Sequence, residues 1–170
     1  MNAWARDTFG DPCRGCGFSW SMPVDVARAV VDEAPRWYAE LVAAPVTVMR
    51  HPDLDWSPVG YVSHVGDSIR IWAERVATVT LGNDEPVALY DQDLLATARH
   101  YDDIDVGAAL WSLERAVGDW QTALAAVRSE AFVMRHEEVG DMTLDDVIRI
   151  RAHDVVHHAW DIERTLASTG

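Results

Sequence analysis

Four long stretches of this chain repeat apolar residues three and four positions apart, and that spacing describes amphipathic helices that must bury one face against each other. The first runs from about Ser21 to Ala44, with Val26, Val30, Ala34, Trp37 and Leu41 on one stripe. Ser21 is its expected N-cap and Pro45 its stop, while Pro35 lies inside and should kink or strain one turn. The second opens at Ser57 and Pro58, a cap followed by a first-turn proline, and ends at Gly82. Its apolar face is Val62, Val65, Ile69, Trp72 and Val76. The third runs from about Val106 to Val127 behind Asp105, with Leu110, Leu113, Val117, Trp120 and Leu124 at helical spacing. The fourth begins at Thr143, where "TLDD" reads as a capping box with Asp in place of Glu, and continues to about Ala167.

Residues 83–104 separate the second helix from the third and carry a short helical pattern after Asp91, "QDLLATAR". A connection this long crosses a bundle rather than closing a tight hairpin. The expected fold is therefore all-α, a four-helix bundle with a long crossover between helices two and three. Residues 1–20 read as an N-terminal extension and 21–170 as the bundle. The tetrapeptide "VMRH" occurs at 48–51 and again at 133–136, which fits either chance or an old duplication of a helix pair.

The formal charge of −14 argues against nucleic acid and against anionic membrane surfaces, both of which reward Lys and Arg. No apolar run approaches the ~20 residues of a membrane span, and the N-terminus shows no basic region leading into an apolar one. A cytoplasmic protein is expected. All 14 basic residues are arginine, so lysine chemistry is excluded.

The chemistry is concentrated in "RAHDVVHHAWDIE", residues 151–163. His153 and His157 are four apart and share a helix face, the geometry of His-x-x-x-His metal motifs. His64, in the second helix, can supply a third imidazole from a facing element. Three neutral imidazoles leave coordination positions open, as in a catalytic rather than a structural site. Zinc is the first expectation, with nickel and iron(II) also suited to imidazole. Surface or core decoration is the alternative for such a pair. His158 is rotated by about 100° from His157 and reads as packing. Asp161 and Asp67 are placed to hydrogen-bond imidazoles, and Tyr61, Asp67 and Trp160 are candidates to line a pocket.

The second and fourth helices, "WSPVGYVSHVGDSIRIWAERVA" and "RAHDVVHHAWDIER", resemble the DinB superfamily, and most of all its actinobacterial members related to mycothiol-dependent maleylpyruvate isomerase. The resemblance covers roughly residues 20–168. It implies a crossover four-helix bundle holding a divalent metal through His64, His153 and His157. It also implies a thiol, such as mycothiol or bacillithiol, reacting with a small electrophilic substrate at that metal. A metal-dependent thiol S-transferase is the expected activity. A non-catalytic metal-binding stress or redox protein and a metal-dependent hydrolase are the alternatives, and a homodimer is compatible with all three.

The resemblance does not reach "DPCRGCGF". Cys13 and Cys16, followed by Gly17, have the form of one zinc-ribbon knuckle without its second half. The pair could complete a zinc site with His51, His100 or His136 or with a second chain, form a reversible disulfide, or be a remnant.

Overall fold

The computed structural model describes residues 3–43, 49–128 and 131–168. Six α-helices and one hairpin follow in order: α1 Ala3–Phe9, α2 Val24–Leu41, α3 Pro58–Thr80, α4 Gln92–Arg99, α5 Val106–Ala126, β1 Val133–His136, β2 Gly140–Thr143 and α6 Leu144–Ala167. The bundle is α2, α3, α5 and α6, the four helices read from the apolar spacing.

Their caps act as the sequence predicts. The Ser57 hydroxyl accepts from the Gly60 amide, Asp105 accepts from Ala108, and Thr143 and Asp146 form a reciprocal capping box. The start of α2 differs. It begins behind Pro23, without a side-chain cap, and Ser21 lies outside it. The buried stripe of α2 is Ala27, Val31, Ala34 and Tyr38, one residue round from the expected one, and Val26 is exposed. On this stripe the buried Tyr38 hydroxyl donates to the Val155 carbonyl of α6 at 2.8 Å, which ties that face of α2 to α6. Pro35 is accommodated within a continuous α2. Ala44 and Pro45, the expected end of this helix, lie outside the described residues.

Helices α3 and α5 pack most extensively, and α2 packs mainly on α6. The α3–α5 pair runs in one direction. Ser57, at the start of α3, donates through its amide and hydroxyl to Asp102, just ahead of α5. Further along, Gly66 lies against Leu113, where an added Cβ would sit 3.4 Å from the Leu113 backbone. Parallel neighbours need a return connection, which is the expected crossover. Helix α4 and a short 3-10 turn, Tyr101–Asp103, lie within it.

Asp67 fastens that crossover. Its buried carboxylate accepts from Arg70 at 3.1 Å and from the Tyr101 hydroxyl at 2.7 Å, and pairs with Arg99. This occupies Asp67 with arginines and a tyrosine, and its hydrogen bonds do not involve His64.

The hairpin pairs Met134 with Met142, both fully buried, and leads directly into Thr143 and α6. The second "VMRH" is therefore a strand, whereas Met49–His51 form no regular element and Val48 lies outside the described residues. The N-terminal segment joins the same core, with Cys13, Phe18 and Trp20 all buried. None of the described helices is long and apolar enough to cross a membrane.

Candidate metal centres

Helix α6 presents its titratable residues on two faces. Positions 153 and 157 face the N-terminal segment, while 154 and 158 face α3. Two donor clusters result. Cys13, Cys16, His153 and His157 bring their ligand atoms within 4.8 Å of one another, and so do His64, Asp154 and His158. The expected trio of His64, His153 and His157 does not meet in this way among the described residues. His64 meets the neighbouring pair instead, because α3 packs against the face of α6 that carries Asp154 and His158.

The first cluster is enclosed by aromatic rings. The His153 imidazole lies 4.6 Å from Phe9, 4.7 Å from Trp20 and 5.4 Å from Phe18, centroid to centroid. Its Nε2 is buried without a hydrogen-bond partner. The Cys13 sulfur stands 3.7 Å from His157 Nδ1. Gly15 lets the knuckle come this close, since a Cβ there would lie 3.0 Å from the His157 ring and 3.1 Å from Trp160. Burial lowers His153 to about 3, lowers His157 and raises the Cys16 thiol to about 11. Trp160 packs on His157 and under Arg164, which is a packing role.

The second cluster joins α3 to α6. The His64 ring is perpendicular to that of His158 at 4.7 Å and tilted against Trp56 at 4.7 Å. Burial lowers His64 to about 4, so its imidazole is neutral. The His158 Nδ1 is 3.0 Å from Asp161 and its Nε2 is 3.5 Å from Asp154. Burial works against its cation, but hydrogen bonds to these two carboxylates prevail and raise it to about 9. Burial opposes the Asp154 carboxylate as well, yet Arg151 at 3.1 Å and His158 hold it well below the usual range. Tyr61 stacks on the His158 ring at 5.2 Å. Asp161 serves His158, not His157.

His64 and Asp154 reach the wall of a cavity of about 180 Å³, which Arg151, Tyr90, Trp72 and Phe9 also line. Tyr61, Asp67 and Trp160 are not among its lining residues. Larger surface grooves, of about 620 and 1010 Å³, hold no histidine or cysteine. Sequence reasoning passed over Asp154 and His158 as ligands, although they repeat the same four-residue spacing one position along.

The fold and these clusters define a class: a crossover four-helix bundle with candidate metal centres on its last helix. Among solved structures the chain is similar to YfiT from Bacillus subtilis, described as a probable metal-dependent hydrolase with an unusual four-helix bundle topology. The TM-score is 0.77 at 17% identity, over 88% of this chain and 89% of that one. No protein-family model and no curated protein sequence matches the chain.

Proposed function

We propose that the protein is a metal-dependent enzyme that acts on a small electrophilic substrate at His64, Asp154 and His158, with a low-molecular-weight thiol of the mycothiol type as co-substrate. One observation carries the metal-dependent part: two imidazoles and one carboxylate from two helices bring their donor atoms within 4.8 Å of one another, and two of the three, His64 and Asp154, line a cavity sized for a small molecule. The donor set suits zinc, nickel or iron(II) and leaves positions open. A divalent ion there supplies Lewis acidity, which polarises a substrate oxygen or lowers the pKa of a thiol or water.

The chain's own residues prepare the place. Asp161 accepts from His158 Nδ1 and so directs Nε2 towards the centre. Arg151 stands beside Asp154 and stacks on Trp72, at 4.4 Å from the ring, so it can hold an anionic group of a substrate in the cavity. The thiol rests on the DinB resemblance and on the chain itself, because Cys13 and Cys16 belong to the other cluster and lysine is absent. Metal-dependent hydrolysis is the second reading, supported by the likeness to YfiT.

A bimane-type electrophile tests the choice, offered with mycothiol, bacillithiol, glutathione or water alone. Turnover that requires one thiol and disappears in His64→Ala is expected. Equal turnover without thiol would establish the hydrolase instead, and no turnover of any probe would remove both enzyme readings.

Ion binding must also displace the proton on His158 Nε2. With a pKa raised to about 9, binding should strengthen by up to about tenfold per pH unit from pH 6 towards 9 and then level off. His64 is already neutral and Asp154 already ionised, so neither adds to this dependence. Calorimetry in buffers of differing ionisation heat, with the cysteine cluster already filled by zinc, should count about one proton released per ion at pH 7. A release near zero would show that His158 is not a ligand.

A further inference from the structure

We propose that Cys13, Cys16, His153 and His157 bind a zinc ion of their own, in a closed tetrahedral site that pins the N-terminal segment to α6. The site uses none of the residues of the centre proposed above, so either can fail without the other.

Four observations converge on it. The donor set is two sulfurs and two imidazole nitrogens, the composition of structural zinc sites, and thiolates select zinc over the harder divalent ions. The spacing fits: bond lengths of about 2.3 Å to sulfur and 2.0–2.1 Å to nitrogen place tetrahedral neighbours about 3.5 Å apart. The Cys13 sulfur and His157 Nδ1 are 3.7 Å apart, and all four donors lie within 4.8 Å. His153 Nε2 is buried without a partner, a state that costs about 1–3 kcal/mol unless something satisfies it. A metal ion is the missing partner in a pocket walled by Phe9, Phe18 and Trp20.

The knuckle is also shaped for the task. The Cys13 amide donates to the Phe18 carbonyl at 2.8 Å and the Gly17 amide to the Cys13 carbonyl at 3.0 Å, closing a tight loop around the sulfurs. Gly17 takes a φ of 74°, which glycine adopts freely. Half a zinc ribbon thus finds its other half on one helical turn of α6. Four protein ligands leave no position for substrate, so the site is structural. Its mechanical effect reaches the cavity, because Trp4 and Phe9 of the pinned segment line it beside His64 and Asp154.

X-ray absorption at the zinc edge of the zinc-loaded full chain should show sulfur at about 2.3 Å in addition to nitrogen or oxygen. Titration with a mercurial should release about one zinc per two thiols modified. Arg14 is already exposed, but its backbone is held by the knuckle; release should loosen it and speed trypsin cleavage there by on the order of tenfold or more, as the segment detaches. In Cys13→Ser, Cys16→Ser the mercurial-released zinc should be absent while the remaining ion stays. If that variant does not fold, absorption and mercurial titration of the unaltered chain still decide. A first shell of nitrogen and oxygen alone, zinc content unchanged after both thiols are modified, or a Cys13–Cys16 disulfide in protein prepared anaerobically with zinc would each overturn the zinc site. Unchanged cleavage after zinc release would overturn its pinning role.

Discussion

Asp154→Asn should weaken divalent-ion binding at His64 and His158 by more than about 100-fold, the upper end of what loss of an outer hydrogen-bond partner costs a metal site. The substitution keeps side-chain volume and removes one negative charge. That charge has two tasks. It is the only anionic donor in its cluster, and it accepts from Arg151 at 3.1 Å. Asparagine can still offer an oxygen to Arg151, which also donates to the Ser68 hydroxyl, so the fold should lose only about 1–3 kcal/mol. Competition against a chelating dye reads the first quantity and urea unfolding the second. Ion affinity within threefold of the unaltered chain would remove Asp154 from the ligand set. A stability loss above about 5 kcal/mol, with affinity kept, would assign it to structure alone.

Trp20→Ala should destabilise the protein by about 3–5 kcal/mol, the range for truncating a buried large aromatic residue. Trp20 is 1% exposed. Its ring meets Phe18 at 5.2 Å and His153 at 4.7 Å, and its Nε1 donates to the Gly10 carbonyl at 2.8 Å. Alanine would remove the ring and leave that carbonyl without its donor. In a chain of this size the change corresponds to a melting-point drop of about 6–20 °C. Trp20→Phe, which retains a ring against His153, should recover about half. A loss below about 1 kcal/mol for the alanine variant would show that the first twenty residues add little to the fold.

The bundle was legible because helical periodicity and capping are local signals. Thr143 with Asp146, Asp105 and Ser57 each announce a helix start within four residues, and each is a cap in the structure. The crossover was legible from length alone, since parallel helices need a long return. The α2 stripe was misread by one residue because apolar residues occupy adjacent positions there, and only packing against other helices chooses between them. The hairpin was missed because its four-residue strands are shorter than any pattern that alternation can establish.

The donor sets depended on tertiary pairing. The pattern from His153 to His158 contains two overlapping pairs with the same spacing, and nothing local says which meets α3. The meeting of Cys13 and Cys16 with His153 and His157 spans some 140 positions, and no local rule connects them. His51, His100 and His136, which the sequence alone also offers to the cysteines, are in neither cluster. His136 lies flat on Trp72 at 5.7 Å instead.

The tryptophans beside these histidines also make the two centres optically distinguishable. Trp56 lies 4.7 Å from His64, whereas Trp20 is 4.7 Å from His153 and Trp160 is 5.5 Å from His157. The His157 and His158 rings are only 5.6 Å apart, so a paramagnetic ion in either centre dims several of these indoles, each to a degree set by its distance. The order in which the two centres fill can therefore be followed by native light emission, with single Trp→Phe changes separating the contributions and no label attached.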